Sequence, residues 1–362
     1  EPYAVVATQN SITIKWQTPD PEASTLHYGF FADTLNHTLA QSELTKKHSI
    51  TISGLSECTK YFYSVDSQSM KIDNEERSFT TLCSHADVQK VWVIGDSGQP
   101  GESQTKVYEQ FLNRIDHDLG SLSMWILLGD NAYRSGTQKQ YNQGLFTPYH
   151  ELVKRFVPWT VIGNHDARRW AYYDIFDSPK DGQSGGVASR HKEYFAVDNG
   201  NAHFVFMDSE TVDLSSQGDM ANWLREDLAK NTKPWTIVIF HTPPYSDGGH
   251  HSDNEHDSNG KLKAMREHFV PIFDEFGVDL VMNGHSHDYE RSKLISGHYG
   301  ESDTFIASEH IMQDSKGCYT KPDAKKPHSG TVYLVCGSSS KLDEASLAHP
   351  ALPFSMQRMG SV

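Results

Sequence analysis

Val91-Trp-Val-Ile94 is a short apolar run that leads directly into Gly95-Asp96-Ser97-Gly98. The same arrangement, an apolar run followed by a turn and by acidic, amide or imidazole side chains, occurs four more times. The other four are Ile126-Leu-Leu128 before Gly129-Asp130-Asn-Ala-Tyr133, Val161-Ile162 before Gly163-Asn164-His165-Asp166, Ile237-Val-Ile-Phe240 before His241-Thr-Pro-Pro-Tyr245, and Leu280-Val-Met282 before Asn283-Gly284-His285-Ser-His287. Short apolar runs bounded by turn residues are typical of buried strands.

Segments with helical periodicity separate several of these runs. The predicted helices carry Val107, Phe111, Leu112 and Ile115; Met220, Trp223, Leu224 and Leu228; and Leu262, Met265, Phe269, Ile272 and Phe276 before Gly277. Alternating strands and helices predict a layered α/β domain. Ligands bind beyond the carboxyl ends of the strands in such sheets, so the five polar clusters are predicted to meet at one edge.

The residue types at these strand ends are those that bind metal ions. A lone Gly-Asp or Gly-Asn-His is common in turns, and one cluster would carry little weight. His285 and His287 are two apart, so on a strand they point to one side and can bind neighbouring metals. Five such clusters in order predict a metal-dependent site.

The series Gly-Asp-x-Gly, Gly-Asp-x-x-Tyr, Gly-Asn-His-Asp, His-x-Pro-x-Tyr and Gly-His-x-His resembles the calcineurin-like metallophosphoesterases, and within them the purple acid phosphatases. The resemblance covers about residues 90–293. Most members of the superfamily have His two residues after the first Asp, where this chain has Gly98. The purple branch has instead a Tyr three residues after the second Asp, and Tyr133 stands there. A phenolate is a hard oxygen ligand suited to trivalent iron.

The resemblance implies a four-layered α/β/β/α sandwich that hydrolyses phosphate monoesters at a dinuclear metal centre, where metal-activated hydroxide attacks phosphorus. Fe(III) is expected with a divalent ion (Zn, Fe or Mn), and Asp130 is expected to bridge the two. By position in the motifs, the first metal would be held by Asp96, Asp130, Tyr133 and His287. The second would be held by Asp130, Asn164, His241 and His285.

Three histidines and the metal ligand Asn164 are expected to contact the substrate. His165, beside the ligand Asn164, is placed to hydrogen-bond the phosphoryl oxygens. His250 and His251 follow His241 by nine and ten residues, where the family keeps histidines that contact substrate and protonate the leaving alkoxide. The alternative is that residues 248–256 form a solvated mobile loop. His256, at the end of this segment, is not predicted to contact the substrate.

Structural roles are predicted for the other polar residues near these motifs. Arg168 and Arg169 are interpreted as a charged loop, and Asp166 is expected to orient His165 without binding metal. Support of the ligand histidines or of the loops is expected from Tyr245, Asp288, Glu290, Arg291, Asp208 and Ser209.

Residues 1–86 are predicted to form a small all-β sandwich, and residues 87–362 the catalytic domain. Ser11-Ile-Thr-Ile-Lys-Trp16 alternates polar and apolar residues, and Pro19, Pro21 and Gly54 punctuate the later short strands. Trp16 and the stretch from Leu55 to Tyr63 resemble a fibronectin type III module. Plant and bacterial purple acid phosphatases carry such a module before the catalytic domain.

The four cysteines favour two disulfides, Cys58–Cys83 and Cys318–Cys336, over buried free thiols. Asn36-His37-Thr38 is a glycosylation sequon. The chain starts at Glu1, which indicates a processed or trimmed form, and a secreted or periplasmic location is expected. No apolar run approaches the ~18 residues of a membrane span.

The net charge of −15 argues against nucleic acid as a partner, because a polyanion needs a basic face. Small phosphorylated substrates are expected, drawn in by local positive features such as bound metal ions; the oligomeric state is left open. Two alternatives to a phosphomonoesterase remain. One is a phosphodiesterase of the same superfamily acting on cyclic nucleotides or other diesters, and the other is a binding protein with a degenerate enzyme domain.

Near the carboxyl terminus the sequence departs from the family. Val332-Tyr-Leu-Val-Cys336-Gly-Ser-Ser-Ser340-Lys341 replaces a Gly-rich stretch and is expected to alter the rim of the pocket. Residues 294–330 are polar and predict a long loop or insertion. After Pro353 no convincing strand pair is predicted, so the natural protein is expected to continue beyond Val362.

Overall fold

The structure is a computed structural model that describes residues 1–69, 76–86, 88–314, 318–321 and 326–342, with the backbone of 355–359. Its strands are β1 (Tyr3–Val5), β2 (Ser11–Gly29), β3 (His37–Ser53), β4 (Lys60–Asp66), β5 (Arg77–Thr80), β6 (Val91–Ile94), β7 (Met124–Leu127), β8 (Pro158–Thr160), β9 (Phe195–Asn199), β10 (Ala202–Phe206), β11 (Trp235–Ile239), β12 (Leu280–Asn283), β13 (Tyr289–Ser292), β14 (Leu294–Ile295), β15 (Ile311–Gln313), β16 (Val332–Cys336) and β17 (Ser355–Met359). Its α-helices are α1 (Glu102–Arg114), α2 (Gln138–Tyr141), α3 (His150–Val153), α4 (Ala171–Ile175), α5 (Asp219–Lys230), α6 (Lys261–Ala264), α7 (Val270–Phe276) and α8 (Ala307–His310). Within these described residues, no helix is long and apolar enough to cross a bilayer.

The first five strands form the predicted amino-terminal all-β unit. Ile12, Ile14 and Trp16 alternate along β2 and are buried, as the sequence pattern predicts. Hydrogen bonds connect the five strands in one continuous sheet, because β2 and β3 are long enough to pair with several neighbours. Their pairing is interrupted between Gln17 and Ser24, where the register shifts. The fibronectin type III likeness of this unit stays a prediction.

Two sheets face each other in the rest of the chain. One has three parallel strands in the order β6-β7-β8. The other has seven in the order β17-β13-β16-β12-β11-β10-β9, parallel from β10 to β16. Ile126 and Trp159 of the small sheet share one buried cluster with Phe204, Phe206 and Met282 of the large sheet.

Helices cover the outer face of each sheet. Phe111 of α1 stacks on Trp92 of β6 with ring centres 3.8 Å apart. Trp223 and Leu224 of α5 share a buried cluster with Phe273 of α7 over the large sheet. The predicted four-layered α/β/β/α sandwich is therefore confirmed.

The third predicted helix is split into α6, a π-helical segment (Met265–Phe269) and α7. It ends where predicted, at Gly277, which adopts the left-handed conformation (φ 63°) that closes many helices.

The amino-terminal sheet contacts the catalytic layers through specific polar groups. The Tyr3 hydroxyl donates to the Ile175 carbonyl at 3.0 Å, and Ser184 Oγ donates to the Ala7 carbonyl at 2.6 Å. Lys15 Nζ lies 2.9 Å from Asp177 Oδ2. These contacts connect β1 and β2 to the segments that follow β8.

Two expectations for the carboxyl-terminal part are wrong. Cys58 and Cys83 form a disulfide, but Cys318 and Cys336 do not form one. Cys336 ends β16 and packs against the core between the sheets, whereas Cys318 is exposed.

A final strand also exists. The backbone of β17 pairs antiparallel with β13, although its sequence has no strand periodicity.

Most of residues 294–330 is irregular, as predicted, and the regular elements among the positions that are described are β14, a 3-10 helix (Ser302–Thr304), α8 and β15. Pro353, after which no strand was expected, lies outside the described residues.

Candidate metal centre

The five predicted clusters come together between the two sheets. Three follow β6, β7 and β8 of the small sheet, and two follow β11 and β12 of the large one. The backbone N–H of His285 donates to Asp96 Oδ2 at 2.8 Å and so joins the two sheets directly. Asp96, Asp130 and His241 offer ligand atoms that all lie within 4.8 Å of one another. The residues present can therefore hold a metal ion.

One set of contacts surrounds Asp96. Tyr133 Oη donates to Asp96 Oδ1 at 2.9 Å, and His287 Nε2 lies 3.4 Å from the same oxygen. These three residues are the ones predicted to bind the first metal together with Asp130.

A second set surrounds Asn164. Its Oδ1 lies 3.1 Å from His241 Nε2 and 3.1 Å from His285 Nδ1. His241 Nε2 also lies 3.6 Å from Asp130 Oδ1. His241 Nδ1 donates to the Leu128 carbonyl at 2.8 Å, which leaves Nε2 as the atom that faces the site. The contacts thus form one group around Asp96 and a second around Asn164, and the assignment of each group to one metal stays a prediction.

The backbone leaves no room for a side chain at position 98. A Cβ atom on Gly98 would lie 2.1 Å from the carbonyl carbon of Asn131 and 2.4 Å from the nitrogen of Ala132. Contacts this short require the β7 loop to move. The loop that carries Asp130 and Tyr133 therefore occupies the space that a histidine at position 98 would need.

The acidic side chains of the site are buried and lack strong cationic partners. Asp96 and Asp130 are 0% and 1% exposed. Within the described part of the chain, their ion pairs involve only histidines, namely His165, His241 and His287. Buried carboxylates require compensating positive charge, so the donor set fits one or more metal cations.

The titration behaviour of the site agrees with this charge imbalance. Burial opposes ionisation of Asp96, but the hydrogen bond with His287 and the charges of His241 and His287 lower its pKa. Burial, only partly opposed by His241 and reinforced by the charge of Asp96, raises the pKa of Asp130. Burial opposes the cationic form of His241, yet Asp130 and Asp96 raise its pKa to about 9. Burial and the neighbouring charges of His250, His241 and His287 lower the pKa of His285.

Three of these polar residues adopt left-handed backbone conformations. Asp96, Asp130 and His285 have φ values of 53°, 54° and 72°. The region is unfavourable for residues with a Cβ atom, and such residues concentrate at functional sites.

His165 lies beside the first set of contacts. Its backbone N–H donates to Asp130 Oδ1 at 2.8 Å, and its ring centre lies 4.5 Å from that of Tyr133. Its Nδ1 donates to the Arg134 carbonyl at 2.7 Å, and its Nε2 faces the site, 3.8 Å from Asp130 Oδ2. Burial is the largest factor that lowers the pKa of His165.

His250 contacts the site, and both ring nitrogens of His251 lie near other protein groups. The ring of His250 stacks on that of His285 at 3.8 Å, and its Nδ1 donates to Asp257 Oδ1 at 2.8 Å. His251 instead accepts at Nδ1 from the Asp253 N–H at 3.1 Å, while its Nε2 lies 3.3 Å from Asp247 Oδ1. His250 therefore contacts the predicted metal ligand His285, and its ring also lies 6.5 Å from that of His287.

Sequence reasoning missed several residues that hold the site in place. Asp257 holds His250, and Ser258 Oγ lies 2.6 Å from His285 Nε2. Glu210 is buried and accepts from Lys261 Nζ at 2.6 Å and from the Thr242 hydroxyl at 2.5 Å, next to His241. Each lies in an irregular polar segment, where no periodicity separates it from ordinary loop residues.

Asp166 and Ser209, two residues predicted to have structural roles, both accept backbone hydrogen bonds at the site, whereas the orientation of His165 by Asp166 stays a prediction. Asp166 is buried and accepts from the backbone N–H groups of Asn131 and Gly163 at 3.1 Å, which holds the two loops together. Ser209 Oγ accepts from the Thr242 N–H at 2.9 Å directly after His241. In the Cys336–Lys341 stretch, where the sequence departs from the family, the Ser340 hydroxyl donates to the Asp96 carbonyl. This stretch therefore packs against the loop that carries Asp96.

A family model for calcineurin-like phosphoesterases matches residues 89–289, which is more than half of the chain. The chain belongs to this family. A model described as the amino-terminal domain of purple acid phosphatases matches residues 3–81 of this calcineurin-like phosphoesterase.

Curated relatives of the phosphoesterase include purple acid phosphatase 23 of Arabidopsis thaliana, 27% identical over 68% of this chain and 58% of the relative. Phosphoenolpyruvate phosphatase of Allium cepa is 26% identical over 79% of this chain and 61% of the relative. The chain thus spans little more than half the length of these curated relatives. The resemblance to purple acid phosphatases is confirmed by these matches.

Among solved structures, the purple acid phosphatase from yellow lupin (Lupinus luteus) seeds has the same fold. The TM-score is 0.76 at 17% identity, over 99% of this chain and 68% of the lupin protein. The similarity therefore extends across both the amino-terminal sheet and the four layers.

Proposed function

We propose that this chain hydrolyses phosphate monoesters at a dinuclear metal centre. The observation that carries the proposal is the division of the contacts into two sets, one around Asp96 and one around Asn164. Asp96, Tyr133 and His287 would bind the first metal, and Asn164, His241 and His285 the second. Asp130 would bridge them, because its Oδ1 lies 3.6 Å from His241 Nε2 and it shares with Asp96 and His241 a cluster of ligand atoms that lie within 4.8 Å of one another. Two adjacent cations need an anionic ligand between them.

We infer Fe(III) for the first position and a divalent ion (Zn, Fe or Mn) for the second. The first set offers a phenol and carboxylates, which are hard oxygen donors, and the second offers two imidazoles and an amide. Bound cations would supply Lewis acidity toward the phosphoryl group and toward water.

The proposed roles of the histidines follow from their hydrogen bonds. His165 donates at Nδ1 to the Arg134 carbonyl, and this hydrogen bond fixes the orientation of the ring. When His165 is protonated, its Nε2 donates a hydrogen bond to a phosphoryl oxygen. His250 donates at Nδ1 to Asp257, which fixes the orientation of the ring. Nε2 of His250 then delivers a proton to the leaving alkoxide. His251 is assigned a smaller role because protein groups occupy its ring nitrogens.

Other aspects of the protein are proposed on indirect support. A division into residues 1–86 and 87–362 is supported by the two family models, which match on either side of it. A secreted or periplasmic location is supported by the Cys58–Cys83 disulfide, since disulfides persist in oxidising compartments. Asn36 is exposed, as a glycosylated residue must be.

Metal analysis combined with phosphate release tests the proposed function. Protein purified with its metals is expected to contain two ions per chain and to hydrolyse p-nitrophenyl phosphate faster than bis(p-nitrophenyl) phosphate. Asp130→Asn should lose both activity and metal. Metal-loaded protein that hydrolyses neither ester would refute the proposal, and a preference for the diester would favour the phosphodiesterase alternative.

A further inference from the structure

A group of exposed cations begins next to the proposed ligand Tyr133. Arg134 follows it in the chain, and the Arg134 carbonyl accepts hydrogen bonds from His165 Nδ1 at 2.7 Å and from Arg168 Nη1 at 3.1 Å. The guanidinium group of Arg168 is therefore held close to the histidine that is proposed to contact the phosphoryl group, and the exposed Arg134 belongs to the same loop contact.

Two more cations extend this group. Arg169 Nη1 donates to the Arg168 carbonyl at 2.8 Å, which keeps its side chain against the same loop. On the other side, Lys341 Nζ lies 5.7 Å from the centre of the Tyr133 ring. The cations thus flank the proposed site from two separate segments of the chain.

None of these four cations has a carboxylate partner within 4 Å in the described part of the chain, although other surface cations do. Arg190, for comparison, lies 2.6 Å from Asp181. The chain has 47 acidic and 32 basic residues. Because acidic residues outnumber basic ones, a group of cations without carboxylate partners among the described residues is not expected from the composition. A local positive region beside a site attracts anions even when the protein as a whole is acidic.

The guanidinium group is well suited to bind a second anion. Its fixed array of N–H donors matches the geometry of a phosphate or a carboxylate, and it remains charged at any pH at which the protein is folded. Arg134, Arg168 and Arg169 are all exposed, so their donors are accessible. The sequence alone indicated only a solvated charged loop here, because the loop's distance from Tyr133 could not be known.

We propose that Arg134, Arg168, Arg169 and Lys341 form an anion subsite that binds a second phosphate or carboxylate group of the substrate. The preferred substrates are then phosphomonoesters that carry another anionic group. This inference rests on the proposed phosphatase function and adds a substrate class to it.

The test compares fructose 1,6-bisphosphate with fructose 6-phosphate, which differ only in the second phosphate. Phosphate release by the metal-loaded protein at low salt should give a kcat/KM about 10-fold higher for the bisphosphate, the gain expected from one charge-assisted hydrogen bond. In Arg168→Gln/Arg169→Gln, the ratio of the two kcat/KM values should fall about 5-fold or more.

A matched control removes the same charge elsewhere. Arg114→Gln/Lys230→Gln changes the exposed ends of α1 and α5 and should keep the wild-type ratio. An unchanged ratio in Arg168→Gln/Arg169→Gln, or an equal fall in the control, would overturn the subsite.

Failure of the proposed function gives a different result. If neither sugar phosphate is hydrolysed, the phosphatase proposal fails, and calorimetric titration with fructose 1,6-bisphosphate tests the subsite by itself. Weaker binding to Arg168→Gln/Arg169→Gln than to the control supports it, and equal binding contradicts it. Trp170, 82% exposed and adjacent to Arg169, provides a fluorescence signal that should change on binding in wild type and not in Trp170→Phe.

Discussion

The phenol of Tyr133 lies 2.9 Å from the carboxylate of Asp96, although the two residues follow different strands. The same loop places the backbone of Asn131 where a side chain at position 98 would have to be. The backbone of this loop thus excludes a histidine at position 98, and the same loop supplies Tyr133 next to Asp96.

Tyr133→Phe should remove the colour of the protein. If Tyr133 binds Fe(III), concentrated protein absorbs visible light through tyrosinate-to-iron charge transfer, and the variant lacks this band. The rate of hydrolysis of an aryl phosphate should fall about 10-fold or more, because mutation of residues that only support metal ligands already lowers activity by about that factor. Absorption spectra with metal analysis check this, and Tyr28→Phe in the amino-terminal sheet should keep the colour. A colourless, active wild type that contains only Zn or Mn would refute the iron assignment.

Gly98→Ala should destabilise the protein and weaken metal binding. The new Cβ atom would meet the backbone of Asn131, so the loop that carries Asp130 must shift. Overpacking of this kind costs about 1–3 kcal/mol. Denaturant unfolding should show the loss, and Gly120→Ala, whose nearest contact is an Asp118 carboxylate oxygen at 3.1 Å, should show much less. Equal stability of both variants would contradict the explanation for the missing histidine.

Asp257→Asn should slow the hydrolysis of alkyl phosphates more than that of aryl phosphates. Asp257 holds His250 Nδ1 at 2.8 Å, and a poor leaving group depends on protonation by His250. Loss of general-acid catalysis lowers kcat by about 100-fold or more for alkyl esters. Steady-state rates on glycerol phosphate and p-nitrophenyl phosphate measure the difference. Glu255→Gln in the same loop is the control, and a uniform loss on both esters would indicate a structural role instead.

His203 should make the stability of the fold depend on alkaline pH. Burial disfavours its charged form, but hydrogen bonds with Asp198 and Asp227, both at 2.7 Å, raise its pKa from 6.5 to about 9. The stabilisation is complete below pH 6.5 and is lost as the pH rises through 9. It amounts to about 3 kcal/mol.

Urea unfolding of the metal-loaded protein across pH 6–10 checks the contribution of His203. In His203→Gln the fall in the free energy of unfolding over this range should largely disappear. His256→Gln changes an exposed histidine and should follow the wild-type profile. If the free energy of unfolding of the wild type did not change over the same pH range, a charged His203 paired with Asp198 and Asp227 would be excluded.

The strand ends could be predicted because their chemistry and their backbone requirements coincide in the sequence. Glycines beside Asp96, Asp130 and His285 mark sharp turns, and the apolar runs before them mark buried strands. The sequence predicted which residues come together but did not predict that they divide between two sheets. That division depends on strand order, which local periodicity does not encode.

Other features were beyond sequence reasoning for a similar reason. Asp257 and Glu210 contribute through contacts between distant segments, and nothing in their own neighbourhoods distinguishes them. The pairing of Cys318 with Cys336 was wrong because an even number of cysteines says nothing of where their side chains point. The strand β17 was missed because pairing at a sheet edge tolerates a polar sequence.

The left-handed backbone of Asp96, Asp130 and His285 bears on how the protein tolerates mutation. Glycine would relieve about 1 kcal/mol of conformational strain at each position, so selection for stability alone would replace all three residues. The presence of Asp and His at these positions therefore gives this chain a less favourable backbone there in exchange for their side chains. Drift toward glycine at any of these positions would therefore be an early sign that a descendant of this protein had lost its activity while keeping its fold.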